Sequence, residues 1–65
     1  MADDGMMHLS EVIMRHHDVE SFEQLVDIVR DEARSTRARF FRMDVRPPYA
    51  DTPENWEDRL EAAFY

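Results

Sequence analysis

A chain of 65 residues without a single cysteine has to hold itself together without disulfides. Thiolate zinc sites are excluded with them, so both usual staples of a small domain are missing. A domain this short buries only about 60% of the surface that its unfolded chain exposes. The fold must therefore rest on well-packed amphipathic elements. Seven aromatic residues (Phe22, Phe40, Phe41, Tyr49, Trp56, Phe64 and Tyr65) supply most of the core volume. Such content predicts one folded domain over 1–65, with residues 1–6 as a flexible tail.

The clearest element is "SFEQLVDIVRDEARS". Ser21 is placed to cap a helix, and Gln24 three residues on completes a capping box. Phe22, Leu25, Val26, Val29 and Ala33 then share one face at the helical period. A helix over 21–34 follows. In "TPENWEDRLEAAF", Thr52 is a suitable N-cap and Pro53 suits the first helical position, which predicts a helix over 53–64. "HLSEVIMRHH" has a weaker helical spacing through Leu9, Val12, Ile13 and His16, for a helix over 9–17.

"FFRMDVRPP" has a different period. Phe41, Met43 and Val45 alternate with Arg42, Asp44 and Arg46, which predicts a strand over 40–46 ended by Pro47 and Pro48. Its partner within the chain is the stretch from Gly5 to Leu9, where Met7 and Leu9 flank His8. "RPPYAD" reads as a rigid turn that docks Tyr49 on the core. The expected class is α+β, a helix-rich single domain of three short helices and a strand. The alternative is an all-α three-helix bundle with 40–46 as an extended connector. Either way Trp56, Leu60, Phe64, Phe22, Leu25, Val26 and Val29 make up most of the core.

The net charge of −7 is unevenly distributed. All eight basic residues are arginine, and six of them fall within 30–46, between two acidic ends. At about 100° per residue, Glu54, Glu57, Asp58 and Glu61 lie in one arc of the last helix, opposite Trp56, Leu60 and Ala63. Glu20, Glu23, Asp27 and Asp31 repeat the device on the middle helix. Like charges at these spacings cost a few tenths of a kcal/mol per pair. An ordinary solvated face mixes signs to avoid that cost. Halophilic adaptation would also enrich acids and deplete lysine, and a plain solvated surface stays open as a reading.

The third reading is that the acids imitate the phosphates of a nucleic acid. Carboxylates three and four residues apart lie about 4.5–6 Å apart along a helix axis, a spacing that a phosphate-reading arginine groove can accept. In charge pattern the chain resembles the small acidic inhibitors encoded by phages, the anti-restriction and anti-CRISPR proteins. The resemblance implies a non-enzymatic inhibitor that blocks a basic, nucleic-acid-binding surface of a CRISPR surveillance complex or defence nuclease. The eight acids of the two stripes would be its partner-binding residues. The alternative is an antitoxin-like or adaptor protein that binds one protein through an apolar patch or strand edge. Monomer and homodimer fit equally.

Other chemistries find little footing. The chain has one glycine and no phosphate-cradling loop or nucleophile motif, so no enzyme and no cofactor are expected. His8, His16, His17, Asp18 and Glu20 match no common zinc spacing, and no metal is expected. The central arginines with Phe40 and Phe41 could contact nucleic acid by stacking, but the net charge opposes it at long range. No apolar run approaches the roughly 20 residues of a membrane span. An acidic start without an apolar stretch argues against a signal peptide and predicts a cytoplasmic protein.

Overall fold

The computed structural model describes residues 5–65. In chain order they form β1 (Met6–His8), α1 (Leu9–Arg15), α2 (Phe22–Thr36), β2 (Phe40–Arg42) and α3 (Trp56–Phe64). The fold is α+β, three helices with a two-stranded sheet, and residues 40–42 are a strand rather than a connector.

The two strands run parallel, with Met6 opposite Phe40, Met7 opposite Phe41 and His8 opposite Arg42. Parallel strands need a long crossover, and α1 with α2 provides it. β1 thus lies in the stretch expected to partner β2. Gly5 leads into it at φ 81°, and its carbonyl accepts from the amides of Arg39 (2.8 Å) and Phe40 (3.1 Å). Of the tail expected over 1–6, residues 1–4 lie outside the described residues. Gly5 and Met6 belong to the fold.

The strand expected over 40–46 ends at Arg42. β1 stops where α1 begins at Leu9, so nothing remains for residue 43 onward to pair with. Asp44 turns instead to α1, accepting hydrogen bonds from the Ser10 amide (3.1 Å) and hydroxyl (2.8 Å). Phe41 faces inward and stacks on Phe64 at 5.1 Å between ring centroids. Phe40 and Arg42 face out. Val45, expected on the buried face, is 40% exposed because the strand period has already ended.

The capping box of α2 is present in altered form. Ser21 Oγ accepts from the Gln24 amide at 3.2 Å, but Gln24 Oε1 accepts from Glu20, one residue before the cap. A second cap comes from far along the chain, where Asp51 Oδ1 accepts the Phe22 amide at 2.8 Å. α2 runs past its expected end at 34. Thr36 donates its hydroxyl to the Glu32 carbonyl, and the helix stops at Arg37 in the left-handed conformation. α1 ends at Arg15 rather than 17, because the chain turns at His16, whose carbonyl accepts the Val19 amide.

α3 begins at Trp56, three residues later than expected. The Thr52 hydroxyl donates to the Pro47 carbonyl at 3.3 Å and caps no helix. Pro53 starts a tight turn whose carbonyl accepts the Trp56 amide at 3.2 Å. Glu54 therefore precedes the helix instead of occupying its first turn.

The core gathers Met7 of β1, Leu9 and Val12 of α1, Phe22, Leu25, Val26 and Val29 of α2, and Leu60 and Phe64 of α3. Trp56 packs against this cluster while only partly buried, which corrects its expected central place. The late helix start leaves it at the first position of α3, on the rim. Tyr49 also packs against the core, and burial raises its phenol pKa. Pro47, two residues before it, is fully buried.

Candidate functional site

Arg59 determines how the acidic stripes are displayed. From the fourth position of α3 it reaches α2, donating to Glu23 at 2.9 and 3.2 Å. Its guanidinium lies 5.4 Å from the centre of the Phe22 ring, within cation–π range. Near the far end of α2, Ala33 and Arg34 share a cleft of about 320 Å³ with Ala63 and Phe64. Contacts at both ends show α3 running in the same direction as α2. The cause lies in the preceding loop, which Asp51 ties back to the start of α2.

All eight acids of the two stripes are exposed, but they are not equivalent. Glu23 is held by Arg59, and Asp27 pairs with Arg30 at 3.2 Å. Glu20 and Asp31 have no cation partner among the described residues. Nor do Glu54, Glu57, Asp58 and Glu61, because the one arginine in their stretch is turned toward α2. Among the described residues the C-terminal stripe is therefore unpaired, whereas that of α2 is half neutralised. Placing Glu57 and Asp58 in the first turn also sets them at the positive end of the helix dipole, which offsets part of their mutual repulsion.

The two stripes do not merge into one patch. Glu57 and Glu61 lie about 160° around α3 from Arg59, so they point away from α2. On the α2 side Arg59 pairs with Glu23 and Arg30 with Asp27.

A second charged surface surrounds β2. Arg37, Arg39, Arg42 and Arg46 are exposed and have no carboxylate partner among the described residues. In a chain with nearly twice as many acids as arginines, unpaired arginines are the unusual case. Phe40 stands among them, 55% exposed.

The remaining polar clusters have structural duties. Arg15 (2.7 Å) and His16 (3.3 Å) both contact the Glu32 carboxylate, tying α1 to α2. His8 Nδ1 lies 4.0 Å from Asp44, and Ser10 donates to that same carboxylate. Serine, aspartate and histidine thus meet, but the aspartate sits between the other two. The histidine therefore cannot serve the hydroxyl as a base. Among the described residues no three His, Asp or Glu side chains converge as metal ligands. No helix among them is long and apolar enough to cross a membrane. The chain matches no protein-family model, and searches of the curated proteins and of the solved structures find no match either.

Proposed function

We propose that this protein is a non-enzymatic inhibitor whose α3 stripe docks on a basic, nucleic-acid-binding surface of another protein. The observation that carries the reading is that Glu54, Glu57, Asp58 and Glu61 have no cation partner among the described residues. The single nearby arginine is engaged elsewhere, which leaves the row available to arginines of a partner. Leu60 and Phe64 seat the helix in the core, so three of the carboxylates stand on a fixed scaffold. Pairs between carboxylates and partner arginines can be bidentate and charge-assisted. Complementary fields would also speed the encounter. A CRISPR surveillance complex or a defence nuclease presents the kind of groove required.

The test is a parallel capture with the parent chain and the triple reversal E57K/D58K/E61K, followed by competition against labelled DNA. A partner that the parent strips of DNA, and the reversal does not, supports the reading. Reversal removes favourable charge from the first turn of α3, so the neutral set E57Q/D58N/E61Q is measured alongside to separate binding from helix stability. A partner that binds all three chains equally would contradict the reading. An adaptor working through the open edge of β2 would then account better for the interaction.

A further inference from the structure

We infer that the outer edge of β2, with its flanking arginines, is a docking strip for an extended acidic segment of a partner protein. The strip is separate from the α3 stripe and stands whether or not that stripe binds. β2 has a neighbour on one side only, since the sheet holds two strands. The Phe40 amide points toward β1, where it donates to Gly5. Amides alternate along a strand, so that of Phe41 faces the open side. An incoming strand can pair there by main-chain hydrogen bonds, with specificity set by the side chains on either face.

Those side chains define the partner's chemistry. Arg37, Arg39, Arg42 and Arg46 flank or belong to the strand, and Asp44, the one acid between residues 37 and 46, is committed to Ser10. Phe40 adds an exposed apolar surface. An acidic strand with alternating apolar residues satisfies both features. A second copy of this chain does not. Antiparallel self-pairing about Phe41 would set Phe40 opposite Arg42 and Arg39 opposite Met43, giving the arginines no carboxylate, and the copy's acid stripes lie mostly on helices that cannot add to a sheet. Nucleic acid would meet the arginines but leave the edge amides unused, and the net charge of −7 repels a polyanion.

Arg37 fits the same account. It holds the left-handed conformation (φ 55°, ψ 37°) at the C-cap of α2, a position that favours glycine. A residue kept there against backbone preference is consistent with use of its side chain.

The experiment is fluorescence anisotropy of a labelled short peptide of alternating valine and glutamate, titrated with the full chain. The expected result is saturable binding that Arg42→Glu or Arg46→Glu each weakens about tenfold. Phe40→Ser should weaken it as well. N-methylation of alternate peptide amides should abolish it, because the strand's donors are then gone. E57Q/D58N/E61Q should bind the peptide like the parent, which distinguishes this strip from the α3 stripe. The inference is overturned if the parent shows no saturable binding or if the arginine variants bind unchanged. Equal binding of the N-methylated peptide, or competition by single-stranded oligothymidylate at equal charge, would overturn it too.

Discussion

Asp44 and Asp51 each satisfy an amide in the first turn of a helix that lies far away in sequence. Asp44 also holds the Ser10 hydroxyl, and that bond above all keeps its carboxyl below its ordinary 3.8, with the Ser10 amide and His8 assisting. A depressed carboxyl pKa stabilises the fold above the unfolded value and loses that contribution as pH falls through the folded one. The stability gap between the parent and Asp44→Asn should therefore be constant near neutral pH and close below about 3.8. Urea melts at several pH values check this. Asp51→Ala should cost about 1 kcal/mol through the lost cap, read as a lower midpoint in the same melts. Arg37→Gly should act the other way, raising stability by about 0.5–1 kcal/mol by relieving the left-handed backbone. The same variant should bind the acidic peptide less well. Neither aspartate was legible as a cap in the sequence, because capping signals are local and these partners lie 34 and 29 residues away.

At the scale of elements, local signals were readable wherever they had no tertiary competitor. Ser21 and Gln24 mark the start of α2 to the residue, since both act within a single turn. Thr52 and Pro53 carry an equally good signal, yet the helix starts three residues later. There the Thr52 hydroxyl reaches the Pro47 carbonyl and the turn closes through Pro53. The alternation of 40–46 was a true strand signal over its first residues only, because a ladder lasts no longer than its partner. The partner segment was legible from Met7 and Leu9, while the parallel sense depended on the crossover. These shifts rank the core differently. Leu60, fully buried in the core, should cost about 2–5 kcal/mol when replaced by alanine. Trp56→Ala, on the rim, should cost less than Leu60→Ala. Thermal melting of the two variants side by side tests that order.

At the scale of the molecule, charge is sorted into three bands: an unpaired acidic row on α3, a partly neutralised row on α2, and an arginine strip around β2. Both acidic rows could be read from periodicity, since each lies within one helix. The dilution of the α2 row could be read as well, since Arg30 and Arg34 stand close to Asp27 and Asp31 in sequence; that Arg59 turns from the α3 row to Glu23 could not. Within α2, Asp27 and Glu23 already have arginines, so reversing that pair should weaken partner binding less than reversing the α3 row. Binding through exposed charges should also fall steeply as salt rises, whereas an apolar adaptor surface would scarcely respond. The most direct measurement follows displacement of labelled DNA from the captured partner as the parent chain or E57Q/D58N/E61Q is titrated, at low and at moderate salt. Displacement by the parent that the neutral variant lacks, and that salt suppresses, is the predicted result. Equal, salt-independent displacement by the two chains would contradict it.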